Sequence, residues 1–399
     1  MALISRVTLR NYKSIASCRV ELRTLTFLVG PNGSGKSNFL DGLRFVSEAL
    51  QTSLDHALRD RGTIKEVRRR SGGHPNHFAI RIDLTLEGGG VGHYSFRVGA
   101  KPAGGFEVQN EECKIALVGN ALREARFHVQ AGRVIESSAP VMPPAVPDRL
   151  FLVAAAGLPE FRPVYDALSR MTFYNLNPRE IAAMQKPDAG ELLAREGWNS
   201  ASVFAKLPES TRNEIAGYLA KIVPGVSGVD AKVLGAQETL EFRQGVKGQE
   251  HPWRFLAASM SDGTLRAFGV LLALFQGVGR NGKAPPLVGL EEPEVALHPA
   301  AAGVLLGALR TASRVSQVVV TSHSPDLLDD PNIPDESILA VENRDGITII
   351  GPVDEAGRSV LRDRPFTVGE LLRQAQLAPA PESFEEVDER QLKLFEFGR

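Results

Sequence analysis

Residues Thr24 to Leu50 read TLTFLVGPNGSGKSNFLDGLRFVSEAL, and this stretch decides the fold. It opens on an apolar run that stops at Gly30, the pattern of a buried strand. It closes with Phe39, Leu40, Leu43, Val46 and Leu50 spaced along one stripe of an amphipathic helix. Between strand and helix lies Gly30 to Ser37, GPNGSGKS, which satisfies the G-x-x-x-x-G-K-[ST] pattern in the context that pattern requires. Glycines there let backbone amides turn inward around phosphates, and the helix N-terminus adds its positive end. The expected nucleotide contacts are therefore Asn32, Gly33, Ser34, Gly35, Lys36, Ser37 and Asn38. Lys36 is expected to reach the β- and γ-phosphates, and the Ser37 hydroxyl to ligate Mg2+.

Outward from this segment, LISRVTL (Leu3 to Leu9) alternates like a strand. A strand-and-helix alternation returns after Ser259. SDGTLRAFGVLLALFQ (Ser261 to Gln276) reads as a helix with a polar cap, and PPLVGLE (Pro285 to Glu291) as a buried strand. PAAAGVLLGALRTAS (Pro299 to Ser313) is a second helix and SQVVVTSHS (Ser316 to Ser324) a second strand, so a parallel sheet is implied. The texture differs between about Arg61 and His251. FAIRIDLTLEGGGVGHYSFRVG (Phe78 to Gly99) reads as a hairpin or meander, with more strand around Arg126 to Glu136. The Pro-rich APVMPPAVPDR (Ala139 to Arg149) then leads into helical segments around Phe151 to Leu168 and Ser210 to Ile222. The expected organisation is 1–60 and 256–350 as two parts of one core, 61–255 as an inserted α+β lid, and 351–399 as a charged tail.

Three further segments carry chemistry. GLEEPEVALHP (Gly289 to Pro299) sets two carboxylates where an apolar strand ends, a costly placement unless something offsets it. In P-loop enzymes an acidic residue at such a strand end faces Mg2+, so Glu291 is expected to ligate metal and Glu292 to polarise water. Adjacent strand residues face opposite ways, which gives the two glutamates different tasks, and Pro293 is expected to end the strand. His323 follows the strand VVVTS at the sheet edge where ligands bind, placed to hydrogen-bond a γ-phosphate or the attacking water. Ser261, Asp262 and Gly263 open a helix with a cap and a close-approach glycine, where an anion can sit.

Bulk properties exclude several classes. Lys plus Arg number 46 against 47 Asp plus Glu, so net charge does not advertise a nucleic-acid binder. Cys18 and Cys113 are isolated, which excludes a disulfide framework or zinc knuckle and suits a reducing compartment. No apolar run approaches a membrane span and the N-terminus is polar too early for a signal peptide, so a cytoplasmic setting is expected. One basic run, Lys65, Arg68, Arg69 and Arg70, is a candidate contact for DNA phosphates.

The order P-loop, long gap, SMSDGTLR, LVGLEEPEVALHP, VVVTSHSP resembles the ABC-type ATPases related to SMC and RecF proteins. It most resembles bacterial AAA-family ATPases akin to the ATPase half of overcoming-lysogenization-defect (OLD) nucleases. The resemblance implies an α/β P-loop ABC-type head, a mixed sheet with a mainly parallel core flanked by helices, binding ATP and Mg2+. It implies that Ser261 and Gly263 touch the γ-phosphate held by a second copy, making an ATP-dependent homodimer and leaving room for higher oligomers. PEVALHP matches the family's D-loop region, a subunit contact, and NYKS (Asn11 to Ser14) the segment near the nucleotide, bringing in Lys13 and Ser14. Two departures stand out: Glu291 replaces the usual aspartate, and only Gln109 and Gln130 offer themselves for the Q-loop. Prolines through the gap, from Pro140 to Pro224, exclude a long coiled coil. Too little chain follows Ile350 for a Toprim nuclease domain, so no nuclease activity is expected. The function so implied is an ATPase switch for a separately encoded nuclease or toxin in phage defence. An ATP-controlled DNA repair or recombination factor is the alternative.

Overall fold

The computed structural model describes residues 2–70, 75–117, 123–277, 284–363, 366–385 and 393–396. Two compact units form: Met1–Met171 with Pro334–Asp363 and Gln376–Arg399, and Thr172–Ile333 with Arg364–Ala375. The SGG that ends the basic run, and residues 364–365, 386–392 and 397–399 of the tail, lie outside the described residues.

The first unit begins with strands β1 (Leu3–Tyr12), β2 (Ile15–Glu21) and β3 (Leu25–Val29). It continues through β4 (His77–Thr85), β5 (Val91–Ala100), β6 (Phe106–Leu117), β7 (Arg123–Gln130) and β8 (Arg133–Ser137). β4 to β8 form the expected meander, each strand antiparallel to the next. The helix Lys36–Gln51 directly follows the P-loop, and its expected stripe is fully buried: Phe39, Leu40, Leu43, Val46 and Leu50 are each at most 2% exposed. Each such side chain contributes roughly 1.5–3 kcal/mol through removal from water. Phe45 of this helix meets Phe78 edge-on at 5.4 Å, and Tyr12 meets Phe78 at 5.7 Å, so helix, β1 and β4 share one core.

The second unit carries β9 (Thr172–Tyr174), β10 (Val226–Leu234), β11 (Gln237–Gln244), β12 (Trp253–Leu256), β13 (Leu287–Glu291) and β14 (Gln317–Ser322). β14, β13 and β9 pair in parallel in that order, while β10, β11 and β12 form a separate antiparallel sheet. The helices Asp262–Phe275 and Ala302–Ala312 stand where their apolar spacing requires them. The parallel pairing of β13 and β14 sets Glu291 beside Thr321, so the chain segments that follow both strands leave from the same sheet edge.

The chain then returns to the first unit with β15 (Ile338–Arg344) and β16 (Ile347–Pro352). The first unit's sheet runs β8-β7-β6-β5-β4-β1-β2-β16-β15-β3, with parallel pairs at β2–β16 and β15–β3. The architecture is the expected mixed α/β sheet. Among the described residues the longest helix has 16 residues, so there is no long coiled coil. No helix among them is long and apolar enough to cross a membrane.

Candidate functional site

In the first unit the P-loop is held in its cradle shape by contacts outside itself. Gly35 has φ +101°, a left-handed value that side chains avoid, and a Cβ there would lie 1.9 Å from the Thr348 hydroxyl. Gly30 backs onto β15, where a Cβ would come within 2.0 Å of the Val341 carbonyl oxygen. Lys36 is 4% exposed, and its Nζ donates to the carbonyls of Gly30 (2.8 Å) and Pro31 (2.9 Å). Ser34 Oγ is buried and has no hydrogen-bond partner among the described residues. A glycine cradle, an ammonium on flexible carbonyl contacts and an orphaned hydroxyl fit an incoming phosphate. Asn32, Gly33 and Ser37 are exposed at the rim, which leaves the Ser37 hydroxyl open to a cation.

The N-terminal segment joins this loop. Asn38 Nδ2 donates to Ser14 Oγ at 2.6 Å, and Ser14 Oγ lies 2.7 Å from Thr348 Oγ1. Thr348 in turn donates to the Ser34 carbonyl at 2.9 Å. Thr348 was not read from the sequence, where it is one more β-branched residue in an alternating strand. Lys13 turns elsewhere: its Nζ lies 2.6 Å from Asp41 Oδ2. Asp41 sits inside the P-loop helix and also receives Arg61 (2.9 Å) and the Tyr12 hydroxyl (2.8 Å). Burial alone pushes the Asp41 carboxyl up, but Arg61, Lys13 and Arg44 together hold it well below the usual carboxylate range. A lone aspartate within an otherwise apolar helical stripe was the signal for this network.

Gln109 and Gln130 fall on β6 and at the end of β7, seven and eight places along the sheet order from β3. That ordering removes both from the P-loop edge. The basic run is largely engaged locally: Arg70 pairs with Glu66, and the Arg68 guanidinium donates to the Pro75 carbonyl.

In the second unit the two adjacent glutamates take different partners. Glu291 Oε1 accepts from Arg195 Nη2 at 3.1 Å. Glu292 Oε1 lies 3.1 Å from His323 Nδ1, with both side chains about one-third exposed. The strand ends where the stretch Pro285 to Glu291 ends, but for another reason than the expected one. Glu291 is its last residue, and Glu292 already has φ 45°, so a left-handed turn rather than Pro293 terminates it. Such a conformation costs a non-glycine residue on the order of 1–3 kcal/mol and persists only where its surroundings impose it. Here the Glu292 N–H donates to the Thr321 carbonyl (3.0 Å), while Arg266 Nη2 donates to the carbonyls of Glu291 (3.3 Å) and Glu292 (3.1 Å).

Arg195, Arg266 and Glu294 escaped the sequence reading. Arg266 stands immediately after SDGTL, and Glu294 two residues after Glu292. The Glu294 carboxylate accepts from Ser322 Oγ at 2.6 Å, and its other oxygen is buried without a partner among the described residues. Burial raises its pKa above the usual value, against the pull of Ser322 and His323. Ser261 caps its helix, its Oγ accepting from the Thr264 N–H at 3.3 Å. Gly263 is required locally too, since a Cβ there would meet the Ala296 carbonyl oxygen at 2.5 Å.

A family model described as "AAA domain, putative AbiEii toxin, Type IV TA system" matches residues 25–113 and 191–329. Among solved structures, an Smc head domain with an extended coiled coil bound to the C-terminal domain of ScpA, derived from Pyrococcus furiosus, is 13% identical with a TM-score of 0.57. That match covers 91% of this chain and 100% of the other. An Smc head bound to the C-winged helix domain of ScpA matches at 13% identity and TM-score 0.55, covering 87% and 96%. The Smc head with a coiled coil and joint derived from Pyrococcus yayanosii matches at 12% and 0.50, covering 91% and 100%. At these identities the likeness is one of fold. No curated protein matches the chain.

Proposed function

The chain belongs to this AAA-domain family, and from that premise we propose that it is an ATP-hydrolysing switch that dimerises around Mg-ATP. The observation that carries the reading is the P-loop cradle, with Lys36 anchored on two carbonyls and Ser34 Oγ left without a partner. Asn32 to Asn38 hold the phosphates, and Ser14 braces the loop through Asn38. Mg2+, held by Ser37 and Glu291, would neutralise charge developing on the phosphates. Glu291 then shares its carboxylate between Arg195, which donates to Oε1, and the cation. Glu292 takes the proton of the attacking water, and His323 steadies both that carboxylate and the γ-phosphate. Ser261 and Gly263 engage the nucleotide of a second copy, and hydrolysis loosens the pair.

The switch acts on a separately encoded effector, a nuclease or toxin in phage defence. The family's description names a "putative AbiEii toxin, Type IV TA system", which supports a toxin–antitoxin setting and no more. Smc heads bind ScpA domains in the matched structures, which supports a head that works through a protein partner. The DNA-repair reading has less support, because Arg70 and Arg68 are engaged within the chain. The test is Glu292→Gln. Turnover should fall by about 100-fold or more while ATP binding persists and a dimer accumulates in light scattering. Normal turnover in that variant sinks the role of Glu292. Loss of ATP binding with Lys36 intact sinks the cradle reading.

A further inference from the structure

The meander of the first unit has two unlike faces. One carries Phe78, Ile80, Tyr94 and Phe96 into the core. The other aligns Arg81, Ser95 and Glu112 across β4, β5 and β6, with Asp83, His93 and Lys114 in the next row and Ala79, Arg97 and Asn110 on the other side. That second face is polar, yet Arg81, His93, Ser95 and Glu112 are each at most 8% exposed. The cover is the chain's own residues Lys393 to Glu396, the sequence KLFE.

Each residue of that segment has its own partner. The Lys393 carbonyl accepts from Arg81 Nη1 at 2.9 Å. Leu394 is fully buried against Ala79. The Phe395 ring lies under the Arg97 guanidinium, 5.2 Å from centroid to Cζ. The Glu396 N–H donates to Glu112 Oε1 at 2.8 Å, and its carboxylate meets Arg81 (3.3 Å), Lys114 (3.2 Å) and His93 Nδ1 (3.6 Å). The segment joins the sheet through no strand ladder. Its hold is a set of side-chain contacts in which apolar, aromatic and acidic positions are read in sequence, the pattern of a linear-motif site rather than of a sheet strand.

We propose that this face of β4, β5 and β6 is a peptide-docking seat for an aliphatic-aromatic-acidic segment, occupied reversibly by the chain's own residues 393–396. The charge pattern is paired across the seat. His93 Nε2 lies 2.6 Å from Glu112 and Nδ1 faces Glu396, so a neutral ring can donate to one carboxylate and an imidazolium to both. Arg81 and Asp83 on β4, Lys114 on β6, and His128 on β7, bonded to Asn110, complete the charged surroundings.

The test uses the full chain carrying Leu394→Ala, Phe395→Ala and Glu396→Ala, and a fluorescent peptide QLKLFEFGR corresponding to residues 391–399. Fluorescence anisotropy should show that the variant binds the peptide. The unaltered chain should bind it at least about tenfold more weakly, because its tethered tail competes at high effective concentration. Peptides with Phe395→Ala or Glu396→Ala should each lose about tenfold or more. If the triple variant does not melt cooperatively, Phe395→Ala with Glu396→Ala replaces it. A folded variant that ignores the peptide overturns the proposal. So does one that binds the altered peptides equally well, or an unaltered chain that binds as tightly as the variant.

Discussion

The imidazole Nδ1 of His323 lies 3.1 Å from Oε1 of Glu292, and each residue directly follows the end of a parallel strand in the same sheet. A pair this close should act as one unit. In a double-mutant cycle of Glu292→Gln and His323→Ala, the two losses in kcat should fail to multiply. The double variant should turn over ATP about as slowly as Glu292→Gln alone. Multiplicative losses in kcat would falsify the coupling.

Arg266 supports the left-handed turn at Glu292 from the helix Asp262–Phe275, donating to two carbonyls there and to Leu176 (2.9 Å). Arg266→Met keeps much of the apolar stem and removes every donor. Turnover should drop at least about tenfold through misplacement of Glu292, while KM for ATP changes little. A variant with unaltered kcat means that the turn is fixed without the arginine.

Thr348 joins the Ser34 carbonyl to the Ser14 hydroxyl. Thr348→Val preserves shape and leaves both groups short of a partner, at a cost of roughly 1–3 kcal/mol in denaturant unfolding. ATP affinity should weaken with it, since the same bonds set the P-loop. Unchanged stability and affinity together would show that the bridge is dispensable.

Two buried carboxyls should make stability depend on pH with opposite signs. Glu111 accepts from the Phe151 and Leu152 amides (2.6 and 2.8 Å) and the Tyr94 hydroxyl (2.9 Å), yet burial raises it from 4.5 to about 7. Its contribution is fully present below the unfolded value and is lost as pH rises through about 7, a span equivalent to roughly 3 kcal/mol. Melting temperature should fall from pH 5 to pH 8, and Glu111→Gln should flatten that slope.

Asp41 is depressed, so its contribution is present above the ordinary value of 3.8 and disappears as pH falls below it. Asp41→Asn should cost about 1–3 kcal/mol near neutral pH, because Arg61, with a side chain 3% exposed, loses one of its two carboxylate partners and keeps only Glu48. A loss under about 1 kcal/mol in chemical denaturation, the range of a surface pair, would mean water reaches the cluster.

The P-loop, its helix and the strands ending at Glu291 and Ser322 were legible because each combines a local pattern with a local backbone demand. Ser261 as a cap was legible for the same reason. Thr348, Arg195 and Arg266 were not. Their role is to satisfy hydrogen bonds of segments far away in sequence, and a single chain carries no sign of which polar residue meets which carbonyl. The left-handed turn at Glu292 was hidden because glutamate gives no hint of positive φ, and the proline beside it offered an easier reason for the strand to end. Gln109 and Gln130 misled in the opposite direction, since a glutamine in the right interval says nothing about its place in the strand order.

The seating of Lys36 on the Gly30 and Pro31 carbonyls has a consequence for which nucleotides the loop accepts. To meet a ligand the ammonium must exchange two good oxygen partners for others. On the proposed function, phosphate groups offer charged oxygens that outmatch two neutral carbonyls, whereas a bare nucleoside offers none. On that reading, a preference for phosphorylated ligands over bare nucleosides follows from the resting position of one side chain, before any group that recognises the base comes into play.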